Sequence, residues 1–127
     1  MHEKGVEIRW SDLDAFAHVH IASYLVYLEE CRDEWLESAL RGTESSSDFV
    51  IARVAIDYRR ELRLEDEAVV VTCRLERLGG SSVTTREEIR TGGELAAEAE
   101  AVLVPRGSDG RSRPLSDAER TALELAE

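Results

Sequence analysis

The fold turns on the reading of "WSDLDAFAHVHIASYLVYLEECRDEWLESALRG", residues 10–42. Its first part shows no apolar period. It carries two carboxylates, Asp12 and Asp14, and two imidazoles, His18 and His20, within a few residues of each other. From residue 22 to residue 40 a period sets in. Tyr24, Leu28, Cys31, Trp35 and Ala39 recur at spacings of four and three, with Ile21, Leu25 and Leu36 beside them. That spacing predicts one apolar stripe on a helix of about five turns. Glu29, Glu30, Arg32, Asp33, Glu34 and Glu37 fall on the other side and read as its solvated face. Gly42 follows as a stop, suited to the left-handed conformation past a helix end.

The segments around this helix read as strands. "GVEIRW" (5–10) alternates Val6, Ile8 and Trp10 against Glu7 and Arg9, the pattern of a half-buried strand. "TESSSD" (43–48) reads as a loop. In "FVIARVAIDYRREL" (49–62), Val50, Ala52, Val54, Ile56 and Tyr58 are expected on one face, with Phe49, Ile51, Arg53, Ala55 and Asp57 on the other. A turn at 64–67 leads to "AVVVTCRLERL" (68–78), and "GGSS" (79–82) is a hairpin signal, since adjacent glycines accept positive φ. "VTTREEIR" (83–90) is β-branched, and "TGG" (91–93) turns the chain again. "ELAAEAEAVLVP" (94–105) competes as an alanine-rich helix. Its two-residue period and the glycines before it favour a strand. A polar loop (106–114) precedes a terminal helix (115–126), with Ser116 as N-cap and Glu119 completing a capping box.

The expected fold is therefore α+β: a five-stranded antiparallel sheet wrapped around one long central helix, with a short C-terminal helix. Residues 1–127 are expected to form one domain, a length that supports a core without covalent staples. The formal charge of −11, from 27 acidic and 16 basic side chains, argues against nucleic acid as a partner. No apolar run approaches the ~20 residues of a membrane span. The start has no basic-then-apolar signal region, and Cys31 and Cys73 have no metal spacing. Both read as buried free thiols in a cytoplasmic protein.

The element order, together with "RWSDLDAFAHVHIASYLVYLEECRDEWL", "YRRELRLEDEAVVVTCRLERLGGSSVTTREEI" and "GELAAEAEAVLVP", resembles the hotdog-fold acyl-CoA thioesterases, in particular the 4-hydroxybenzoyl-CoA thioesterase-like group. The likeness runs over about residues 5–115. It implies a homodimer, often paired again into a tetramer, with acyl-CoA sites at the subunit interface. It also implies that the second carboxylate of the Asp-x-Asp loop is catalytic, here Asp14, that backbone N–H groups opening the central helix polarise the thioester carbonyl, and that no metal or organic cofactor is needed. The family often has Gly-His-Val-Asn where this chain has Ala17-His18-Val19-His20.

The chemistry agrees with those residue types. Thioester hydrolysis needs a nucleophile or activated water, and donors for the developing oxyanion. A carboxylate just before a helix can attack or deprotonate water. The free N–H groups of the first turn, aided by the helix dipole, can bind the oxyanion. Read from the residues alone, Asp14 is more ordinarily a turn or capping residue, and the resemblance turns it into the catalytic group. Asp12 is expected to hydrogen-bond its own loop. His18 and His20 are candidates for substrate contact, and Phe16, Tyr24, Trp10 and Ile51 for the acyl pocket. Arg59 and Arg60, with Arg53 and Arg86, are candidate partners for coenzyme A phosphates. Cys31 as a nucleophile is set aside because it lies on the apolar stripe. Glu29 and Glu30 are weighed as other carboxylates and read as solvated. The substrate is then acyl-CoA or an acyl-carrier-protein thioester. The competing reading is a non-catalytic hotdog dimer that binds acyl thioesters or a partner protein.

Overall fold

The computed structural model describes residues 1–44 and 48–127. Part of the loop expected at 43–48, residues 45–47, lies outside the described residues. The order is β1 (His2–Glu7), a 3-10 turn (Trp10–Asp12), α1 (Ile21–Leu40), β2 (Phe49–Tyr58), a second 3-10 turn (Leu64–Asp66), β3 (Ala68–Leu78), β4 (Val83–Thr91), β5 (Glu94–Pro105) and α2 (Asp117–Leu125). The five strands form one antiparallel sheet in the order β1-β3-β4-β5-β2. Helix α1 packs on one face of it, as the periodicities predict, and α2 packs against α1 and β3.

The core is made where the two periods meet. Val69, Val71 and Cys73 of β3, Val83 and Ile89 of β4, and Ala97, Ala99 and Leu103 of β5 point at α1. The helix answers with Tyr24, Tyr27, Leu28, Cys31, Trp35, Leu36 and Leu40, all buried. Each large aliphatic among them contributes about 1.5–3 kcal/mol. Ala96, Ala97, Ala99 and Ala101 of β5 are all buried, so tertiary packing overrides their preference for helix. The capping box of α2 forms as expected, with Ser116 Oγ accepting from Glu119 N–H and Glu119 Oε1 accepting from Ser116 N–H.

Four expectations are corrected. Trp10 does not extend the first strand. The Asp12 carboxylate accepts from Arg9 N–H at 3.0 Å and from the Arg9 guanidinium at 3.2 Å, and this closes a turn that leaves Trp10 79% exposed. The faces of β2 change partway along. Ile51 pairs with Leu103 and Arg53 with Val102, so Ala52 is an extra residue, a β-bulge. Phe49 and Ile51 therefore join Val54, Ile56 and Tyr58 on the face toward α1, and Val50 leaves it. Ile21 and Leu25, placed beside the helix stripe, are exposed.

The fourth correction is Arg32, expected on the solvated face and in fact buried. Its Nε and one terminal nitrogen donate to the two oxygens of Glu87 on β4, both at 2.8 Å. Thr85 Oγ1 donates to the same carboxylate at 2.7 Å. The side chains of the pair are 4% and 0% exposed, so this fork-to-fork contact sits in the middle of the helix–sheet core.

Candidate active site

The loop from Leu13 to His20 is held at both ends. Leu13 bridges to Val19, His18 bridges to Arg63, and Val19 N–H donates to the Leu62 carbonyl at 2.7 Å. Asp12 ties the loop to the helix from below. Its carboxylate accepts from Tyr27 OH at 2.7 Å, and its carbonyl accepts from His20 N–H at 2.8 Å. Burial pushes the Asp12 carboxyl up, but the Arg9 amide, the Tyr27 hydroxyl and the Arg9 guanidinium outweigh it and hold the group below its ordinary value.

Asp14 is oriented by its own loop. Oδ1 accepts from Phe16 N–H at 2.8 Å and from His18 N–H at 3.1 Å. Oδ2 has no hydrogen-bond partner among the described residues. The Phe16 amide leads in lowering the Asp14 pKa; a smaller burial effect opposes it, and the His18 amide adds to it. The group is thus ionised at neutral pH, with one oxygen fixed and the other open.

The loop accomplishes this with Ala17 in the left-handed region, φ 64°. A residue with a Cβ there costs roughly 1–2 kcal/mol. Glycine would remove that cost and lose about 0.4–1 kcal/mol through its freer unfolded chain. Ala17→Gly is therefore expected to raise stability by about 0.5–1 kcal/mol in urea denaturation. A lower midpoint would contradict the strain.

Asp14, His18, Val19, Ile21, Tyr24, Tyr58, Arg59, Arg60 and Glu61 together line a cavity of about 310 Å³ at the N-terminus of α1. In the first turn, Ala22 N–H donates to His20 Nδ1 at 3.0 Å and Ser23 N–H to the His20 carbonyl at 2.8 Å. The Ile21 N–H has no hydrogen-bond partner among the described residues, and Ile21 is one of the residues that line the same cavity.

Of the residues singled out in the sequence, Asp14, His18, Tyr24, Arg59 and Arg60 meet here. His20 does not line the cavity; its ring is the helix cap. Phe16 contributes its backbone amide to Asp14, while its ring is 80% exposed and outside the cavity, as is Trp10. Ile51 lines a different cavity, with Phe49 and Leu103. Arg60 donates to both oxygens of Asp66 at 3.0 Å and pairs with Glu94 at 2.7 Å. Arg59 pairs with Glu98 at 3.4 Å and Asp57 at 3.8 Å. Both guanidiniums are thus already neutralised by carboxylates. Cys31 and Cys73 are free and buried. Burial, with Glu87 nearby, pushes the Cys31 thiol up to about 12.

Four cavity residues, Val19, Ile21, Tyr58 and Glu61, were not singled out as site residues in the sequence, and the last two reach the site from the end of β2 and just past it. Glu61 Oε2 lies 3.2 Å from His18 Nε2, and Tyr58 OH donates to the Ile21 carbonyl at 3.2 Å. The alternation of "AIDYRREL" marks both as strand residues and gives no sign that the strand end reaches the loop.

A five-stranded antiparallel sheet wrapped on one long helix, with a short C-terminal helix, is the arrangement of the hotdog-fold thioesterases. The chain belongs to the thioesterase-like superfamily, whose family model matches residues 8–123. It is 35% identical over 80 residues to the long-chain acyl-CoA thioesterase FadM of Escherichia coli K12, a match spanning 61% of this chain and 60% of FadM. It is also similar to a thioesterase of Thermus thermophilus solved with coenzyme A and Zn, at 32% identity and a TM-score of 0.90, covering 98% of this chain and 92% of that one. A predicted thioesterase of Bacillus stearothermophilus gives 28% identity and a TM-score of 0.87, over 98% and 94% of the two chains. Among the described residues no three His, Cys, Asp or Glu side chains cluster as a metal site, and no helix is long and apolar enough to cross a membrane.

Proposed function

We propose that this protein is an acyl-CoA thioesterase that releases free acid and thiol, with Asp14 as the catalytic carboxylate. The observation that carries the reading is the geometry of that one group. Its Oδ1 is pinned by two backbone amides and its Oδ2 is open, beside a helix N-terminus that leaves the Ile21 N–H free. Oδ2 either attacks the thioester carbon, breaking the C–S bond to give a mixed anhydride that water then cleaves, or takes a proton from water that attacks the same carbon. The Ile21 N–H and the dipole of α1 stabilise the oxyanion, and the leaving thiolate takes up a proton. His18 and Tyr24 line the same cavity and contact the bound thioester.

The active unit is a homodimer in this proposal. Strand β2 is an edge with its backbone unpaired on one side, and Ile51, Tyr58, Ile21 and Leu25 are exposed beside it. A second copy pairing along β2 covers both features, and dimers of this type join further into tetramers. The substrate is acyl-CoA or the same thioester on an acyl-carrier protein. The non-catalytic reading draws on His20, whose ring takes up the Ala22 N–H that would otherwise add to the oxyanion site.

Coenzyme A release from a panel of acyl-CoAs, followed with a thiol reagent, separates the two. Steady turnover supports the enzyme, and binding without release supports the other reading. The pH profile adds a sign. The depressed Asp14 pKa keeps the carboxylate charged as pH falls, so the acid limb of kcat/KM is expected below the ordinary value of 3.8. A limb centred above 3.8 would place the essential carboxylate elsewhere.

A further inference from the structure

We infer that Tyr58 determines acyl specificity: its ring closes the groove between α1 and β2 beside Asp14 and restricts the substrate to short aliphatic or single-ring acyl groups. This rests on the thioesterase reading above and names the substrate class of that site.

Tyr58 is the last residue of β2, on the face toward α1. Its hydroxyl donates to the Ile21 carbonyl, so the ring spans from the edge strand to the first turn of the helix. It meets the Tyr24 ring edge-on, with centroids 5.0 Å apart and planes at 80°. Tyr24 is fixed in turn. Its hydroxyl donates to the Arg60 carbonyl at 3.1 Å and accepts from Leu62 N–H at 2.9 Å. Swinging either ring aside therefore breaks hydrogen bonds to the backbone.

Behind the ring the interior is packed: Ala97 and Ala99, opposite Tyr58 and Ile56 on β5, are buried. Further along, between the same helix and strand, lies a separate cavity of about 640 Å³, where Leu36, Phe49, Ile51 and Leu103 meet the charged side chains of Glu29, Arg32, Asp33 and Glu37. A long acyl chain running from Asp14 toward that second cavity would need to pass the position of the Tyr58 ring. On the Asp14 side the space is about 310 Å³, near the lower end of ligand pockets (~300–1,000 Å³). Its apolar walls, Val19, Ile21, Tyr24 and Tyr58, suit a small apolar group, and the ionisable side chains of Asp14, His18, Arg59, Arg60 and Glu61 complete the lining.

The test is kcat/KM for butanoyl-, benzoyl- and dodecanoyl-CoA on the wild-type protein, Tyr58→Ala and Tyr58→Phe. The wild type is expected to prefer butanoyl- or benzoyl-CoA over dodecanoyl-CoA by about tenfold or more. Tyr58→Ala is expected to shrink that ratio by about tenfold, chiefly through faster dodecanoyl turnover. Tyr58→Phe keeps the ring and the wild-type order. Should the alanine variant fail to fold, Tyr58→Leu shortens the ring's reach with less loss of packing. A wild-type preference for dodecanoyl-CoA, or a Tyr58→Ala ratio within about twofold of wild type, overturns the inference and leaves the thioesterase reading standing. No release from any of the three substrates overturns that reading and the inference with it.

Discussion

Arg32→Met is expected to destabilise the fold by about 3–5 kcal/mol, because it leaves the Glu87 carboxylate buried without its cation. The Glu87 side chain has no exposed surface, and three of its hydrogen-bond donors come from Arg32 and Thr85. Water cannot replace the lost partner there. Glu87→Met strands the guanidinium in the same way and is expected to cost a similar amount. The double variant Arg32→Met/Glu87→Met removes both charges and fills the space with apolar atoms. It is expected to recover most of the loss, since a buried ion pair against a packed apolar core is near neutral. Urea midpoints of the four proteins form a double-mutant cycle. Additive losses would show that the two charges do not depend on each other, contrary to the geometry.

Asp14→Asn is the second large effect, and it falls on the rate alone. The amide keeps an oxygen where Oδ1 accepts from Phe16 and His18, so the loop retains its hydrogen bonds. What is lost is the charge and the basic oxygen at Oδ2. A positioned carboxylate acting as base contributes about 10²–10⁴ in rate, and kcat/KM is expected to fall by that factor. Asp14→Ala would also remove the acceptor from the loop, so its rate loss would mix chemistry with disorder. The asparagine variant is the cleaner comparison for that reason.

The meander of β3, β4 and β5 was legible because each strand alternates and each connection carries glycine. The central helix was legible from its period, whereas Asp14 read as a turn or capping residue and only the family resemblance singled it out. Arg32 and Glu87 were not. Each one, read in its own segment, belongs with solvated charges. Only their meeting across 55 residues allows both to be buried, and no local pattern encodes such a pairing. The β2 faces misread for a related reason: a bulge at Ala52 shifts the alternation by one residue without any glycine or proline to announce it. Trp10 and Phe16 read as pocket residues from their size. The first is turned out by the Asp12 turn, and the second follows a loop whose amides, not its rings, face Asp14. Tyr58 and Glu61 reach the site only because β2 ends beside the helix mouth, a fact of sheet order that strand periodicity does not contain.

Coenzyme A release by wild type and Asp14→Asn, measured side by side on one acyl-CoA at neutral pH with thermal melts of both, tests the account most directly. The expected result is a rate at least about 10²-fold lower in the variant with superimposable melting curves. Equal rates in two equally stable proteins would contradict it, and would move the chemistry away from the mouth of α1.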